Sequence, residues 1–148
     1  MNTDAIRTKE TGAVAVEFAL ILPLLLVLLF GIVEFGLLLF NQQIITNASR
    51  EGARFGIVMS DPGRTKSQIS AEVEKYCQNN LVTFSTTPGV VTTDCEWTTG
   101  SGFQDLTVTV EYPYSFLVLS DFHVGSFNFG FGQIQMQART VMKMEAEL

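Results

Sequence analysis

The side chains able to do chemistry in this sequence are few and scattered. His123 is the only histidine, so a histidine-based metal site would need other ligands, and none stands at a recognisable spacing from it. A structural histidine fits better. Asp94, Glu96, Asp105, Glu111 and Asp121 are the acids of the second half that could pair as general acid and base, but solvated faces are the default for such residues. There is no G-x-S-x-G, no phosphate-binding loop and no Cys-His arrangement. The run Phe129-Gly130-Phe131-Gly132 reads as close-packed strand rather than a phosphate cradle. Asn47-Ala48-Ser49 has the form of a glycosylation acceptor but falls within a helical stretch, where it carries little weight. Neither a catalytic residue nor a cofactor or metal site is expected.

Two cysteines remain, Cys77 and Cys95. An even count favours a disulfide if their domain lies outside the cytoplasm, and means two free thiols if it does not. Nine Lys and Arg stand against fifteen Asp and Glu, for a net charge of -6, and no basic cluster offers a footprint for phosphates. Nucleic acid is therefore not an expected partner.

Another chemical signal lies near the N-terminus, where Gly12 precedes a long apolar run and Glu17 sits within it. From Ala13 to Phe40 the sequence is apolar apart from Glu17 and Glu34. As a helix these residues would extend about 42 Å at about 1.5 Å each, against a hydrocarbon layer about 30 Å thick. The run is too long for the core of an ordinary cleavable signal peptide and lacks a convincing small-residue cleavage site. It reads as a membrane-spanning helix, either tilted or projecting by a turn or two toward a protein partner. A carboxylate in lipid costs about 2.5–3.5 kcal/mol on insertion scales. Either Glu17 and Glu34, about 25 Å apart along the helix, sit near the two bilayer interfaces, or Glu17 has a partner.

The elements that would carry these residues follow from periodicity. Phe40, Ile44, Ala48, Gly52, Phe55 and Met59 continue a helical stripe, with Asn41, Gln42, Gln43, Asn47, Arg50 and Glu51 as its polar side, so the helix should run to residue 59. Asp61, Pro62 and Gly63 stop it. Thr65 with Gln68 forms a capping box, and Ile69, Val73, Tyr76 and Cys77 share a face, predicting an amphipathic helix over 66–80. Leu106, Val108, Val110 and Tyr112 alternate with polar residues as one strand, which Pro113 ends or marks as an edge. Ile134, Met136, Ala138, Thr140 and Met142 alternate as a second. Segments 114–119, 126–131 and 89–97 are further strand candidates. The fold class is α+β: a long N-terminal transmembrane helix, a short amphipathic helix and a small antiparallel sheet.

Several submotifs occur in order along this helix. Gly12-Ala13-Val14-Ala15-Val16-Glu17-Phe18 resembles the processing site of Flp-type prepilins and pseudopilins. Leu22-Pro23-Leu24, Phe30-Gly31-Ile32-Val33-Glu34-Phe35-Gly36 and Asn47-Ala48-Ser49-Arg50-Glu51-Gly52-Ala53-Arg54 resemble the TadE-like minor pilins of tight-adherence pilus systems. The resemblance covers residues 10 to 55.

That resemblance implies a division into a prepilin leader (1–12), a transmembrane and extended helix (13–59) and an extracytoplasmic head (60–148). A prepilin peptidase would cut after Gly12, leaving Ala13 as the new N-terminus, whose amine can neutralise Glu17 within or between subunits. Gly12, Ala13, Glu17 and Phe18 are thus the implied processing and assembly residues. The implied partners are that peptidase, other major and minor pilins, the assembly platform and the bacterial inner membrane, with the N-terminus cytoplasmic. The competing functions are an uncleaved anchor bearing a ligand-binding or sensory module, and a membrane-anchored enzyme.

Overall fold

A computed structural model describes residues 3–58, 63–83, 89–100, 103–117, 123–124, 126–128, 130 and 132–145. Met59, Asp61, Pro62, Asp121, Phe129 and Phe131, singled out above, lie outside the described residues, as do 118–119 of the proposed 114–119 strand. The chain forms two compact units, Met1–Phe35 and Gly36–Leu148.

The first unit is helix. It is the N-terminal part of α1 (Thr3–Ile57), the one element among the described residues long and apolar enough to cross a membrane. Leu, Val, Ile and Phe crowd this stretch, and Pro23 is accommodated inside it, as proline is in apolar helices whose freed backbone groups find substitutes. From Gly12 onward nearly all of its side chains are exposed. Glu34 is the exception, at 2 % exposure. An interfacial carboxylate would be solvated, so burial was not the expectation for this residue.

The second unit is a two-layer α+β head. It takes the C-terminal part of α1, then α2 (Lys66–Asn80), β1 (Thr92–Gly100), β2 (Phe103–Ser115), a short ribbon of β3 (His123–Val124) and β4 (Phe127–Asn128), and β5 (Gln133–Glu145). The sheet has the order β1-β2-β5, antiparallel throughout. Helix α2 starts where the capping box set it. The Thr65 hydroxyl accepts from the Gln68 N–H, and the Gln68 side chain accepts from the Thr65 N–H at 3.0 Å. Such reciprocal caps satisfy donors the first turn leaves open.

The core lies between both helices and one face of the sheet. Ile45, Ala48 and Ala53 from α1 and Ile69, Val73 and Cys77 from α2 meet Cys95, Leu106, Val108, Val110, Tyr112, Met136 and Ala138 of the strands. The strand residues are every second one, as a half-buried sheet requires. Tyr76, expected on the buried face of α2, packs at its margin.

Two expectations need adjustment, and the alternative left open at Pro113 is decided for an edge. Helix α1 ends at Ile57 rather than 59. Pro113 does not end its strand: β2 runs on to Ser115 and pairs there with β5 alone, because β1 stops opposite Glu111. Pro113 therefore sits where β2 is locally an edge, the place a residue without an N–H is tolerated. The strand expected over 126–131 is the two-residue β4, and Phe116 and Leu117 lie beyond the end of β2.

Candidate functional site

Gly12, Ala13, Glu17 and Phe18 all lie on α1 and all are exposed. Ala13 and Glu17 are four residues apart, which puts them on one face about 6 Å apart along the axis. At Gly12 an added Cβ would meet nothing within 4 Å. A helical glycine costs about 1 kcal/mol relative to alanine, and no close packing here requires one. Gly31 and Gly36 of the same helix are equally open.

Gly52 and Gly56 are glycines of the opposite kind. A Cβ on Gly52 would run into Val73 Cγ2, and one on Gly56 into Leu106 Cδ2 and, at 2.8 Å, Ile69 Cδ1. Their missing side chains let α1 approach α2 and the sheet. The whole segment Asn47–Arg54 divides by face in the same way: Ala48, Ser49, Gly52 and Ala53 are buried, while Asn47, Arg50 and Arg54 are exposed. Ser49 is held on both sides. Its hydroxyl donates to the Thr46 carbonyl at 2.8 Å and accepts from the Thr140 hydroxyl at 2.7 Å. That burial also removes the Asn47 sequence from consideration as a glycosylation acceptor, since Ser49 is its hydroxyl residue. On the outer side Glu51 takes two hydrogen bonds from Arg54, at 2.7 and 3.1 Å, which hold its carboxyl below the usual range.

Asn41 is the residue that sequence reasoning misplaced most. It was expected on the polar side and is fully buried. Its amide donates to the Val82 carbonyl at 2.7 Å and accepts from the Val82 N–H at 3.0 Å, so α1 grips the segment after α2 as a strand would. Gln42 reaches the other way and donates to the Gln137 carbonyl of β5 at 3.0 Å. Composition gives no sign of either bond. A polar residue at an i+3/i+4 spacing from core positions was the one usable hint.

The expected projection Phe35–Phe40 also splits. Leu37 and Leu38 pack against the head's own core, while Phe35, Leu39 and Phe40 stay exposed. Phe40 therefore leaves the stripe on which it was placed, and Asn41 takes its position on the core side.

The bridge expected between Cys77 and Cys95 is absent: both are free, buried thiols. They sit in the same core, but Cys95 hydrogen-bonds the Ser70 side chain, and Ser70 lies two helical turns before Cys77, about 10 Å along α2. Burial raises the Cys77 thiol from 9.0 to about 11 and Glu74 adds to the rise; burial also raises Cys95. Elsewhere the acids do not converge. Asp94 and Glu96 are exposed on β1, Glu111 accepts from Gln137 at 2.8 Å, and among the described residues no three His, Cys, Asp or Glu side chains come together as metal ligands.

What the geometry defines is an exposed apolar helix continuing into a helix that is one layer of an α+β head. Residues 12–54 match the family model described as TadE-like protein, and the segment has the TadE-like character that its submotifs implied. The match spans the exposed helix and most of its head-bound continuation. No curated protein and no solved structure matches the chain.

Proposed function

We propose that this chain is a minor pilin or pseudopilin that takes part in initiating or assembling a Tad/Flp-type adhesive pilus after cleavage by a prepilin peptidase. The observation that carries the reading is the TadE-like match over residues 12–54, which begins at the glycine that no packing requires. Cleavage after Gly12 frees the Ala13 amine one turn from Glu17, so two charges that are costly in lipid gain a counter-ion, within one helix or between neighbours. The apolar helix serves as an inner-membrane anchor, N-terminus inside and head outside. Exposed Phe35, Leu39 and Phe40 then form the surface offered to other pilins and the assembly platform.

The mature N-terminus tests this directly. Mass spectrometry of protein from cells carrying the pilus system should find Ala13 first, and Gly12 replaced by a bulky residue should retain the leader. A chain that keeps residues 1–12 in the wild type is an uncleaved anchor, and its head is then better read as a ligand-binding or sensory module. Glu17→Ala should insert at least as well as the wild type, since removing a charge favours the membrane, yet fail to assemble.

A further inference from the structure

The sheet has one face under the helices, and its other face is ordered by charge. The strand register sets outward side chains in rows: Asp94, Thr109 and Arg139; then Glu96, Thr107 and Val141; then Thr98, Asp105 and Lys143. Down the strands the same face reads as columns, with acids on β1, threonines in the middle of β2 and cations on β5. Asp94, Glu96, Arg139, Val141 and Lys143 are exposed. Val141, an apolar side chain on the outer face, is 55 % exposed. Asp94, Glu96 and Arg139 enter no salt bridge among the described residues.

We propose that this face docks against the same face of a second copy of the chain, through a two-fold axis parallel to the strands. Rotation about that axis exchanges left and right but keeps strand direction and row. It lays β1 over β5 of the second copy, so Asp94 meets Arg139 and Arg139 meets Asp94, and each pair occurs twice as an isologous contact requires. A two-fold axis across the strands would instead stack β1 on β1, acid against acid, and like charges juxtaposed oppose docking. The short threonines of the central column let the sheets approach to the usual spacing of about 10 Å. Nine paired residues on three strands present about 300 Å² per copy by strand spacing, against the roughly 800 Å² per partner of a stable interface. The contact is accordingly weak between free heads and forms where copies are held at high local concentration.

The full chain in lipid vesicles, carrying Thr109→Cys at the centre of the face, tests the geometry with a thiol crosslinker spanning about 10 Å. Buried Cys77 and Cys95, unreactive in the folded head, report that each variant is folded. The unaltered face should yield crosslinked dimer, and Asp94→Lys or Arg139→Glu should each lower the yield about tenfold, as two attractive pairs become repulsive. Mixed together, those two variants should crosslink to one another, and D94K/R139E should crosslink to itself. A yield indifferent to the charges, or a mixture no better than either variant alone, overturns the proposal. An increase in the Asp94→Lys variant alone would assign the other axis and overturn it too. None of these outcomes depends on cleavage after Gly12.

Discussion

Gly52→Ala should loosen the head by up to about 2 kcal/mol, the overpacking cost less the helix-propensity gain. The propensity gain is about 1 kcal/mol. Against it, the new Cβ runs into Val73 Cγ2 and lies 3.5 Å from Val108 and 3.6 Å from Ile69. Val73 cannot swing clear, because branching at Cβ leaves it one strongly preferred rotamer in a helix, so α2 must shift and a typical overpacking cost of about 1–3 kcal/mol applies. Gly56→Ala meets the ends of Leu106 and Ile69 instead, which can turn aside, and should cost less. Gly36→Ala, with nothing within 4 Å, should be neutral or stabilising. Native-state alkylation of Cys77 reads the difference, since this thiol reacts only when the head opens. A loss of about 1.4 kcal/mol raises the open population tenfold, so Gly52→Ala should react about tenfold faster and Gly36→Ala no faster than the wild type. If Gly52→Ala reacts no faster, α1 is not held at contact distance by the absence of that side chain, and the assigned docking of α1 on α2 is wrong.

Asn41→Ala strands the Val82 N–H and carbonyl, which should destabilise the head by about 1–3 kcal/mol per unsatisfied buried group; hydrogen exchange at the Val82 amide should rise with it. Protein unfolded without reductant should show two alkylatable thiols, and folded protein almost none, because buried cysteines with raised pKa values are poor nucleophiles. The folded Cys77 pKa is raised, so its contribution to stability is complete below pH 9.0 and is lost as pH climbs toward about 11; denaturant midpoints across that window should fall. Photo-crosslinkers at Leu39 and Phe40 should capture another pilus protein in cells with the whole system, whereas those at Leu37 and Leu38 should react within the head.

Elements whose pattern repeats were legible before any coordinates. The capping box and the Ile69, Val73, Cys77 face set α2 at 66–80, and alternation located the middle of β2 and β5. What escaped was every place where a polar residue is buried on a specific partner. Asn41 and Ser49 look like solvent-side residues until the backbone or hydroxyl that satisfies them is brought near, and their partners are 41 and 91 residues away. The split of Phe35–Phe40 failed for the same reason: six apolar residues in a row have no period, so only the head can say which two it covers. The residues proposed for processing were named through a motif alone, and Gly12 among them is unconstrained by packing.

The paired bonds from α1 to β5 also dictate when the head can form. Gln42 to Gln137 and Ser49 to Thr140 advance together, seven residues of helix and three of strand each covering about 10 Å, so the helix lies along a strand made some 90 residues later. During synthesis the apolar helix is made first, and the part of its head-bound stripe that holds Gln42 and Ser49 then waits, unpaired, until β5 emerges. Closing so long a loop before its contacts are rewarded slows folding. Throughout that interval the waiting stripe is the surface a chaperone or a sister subunit would have to shield.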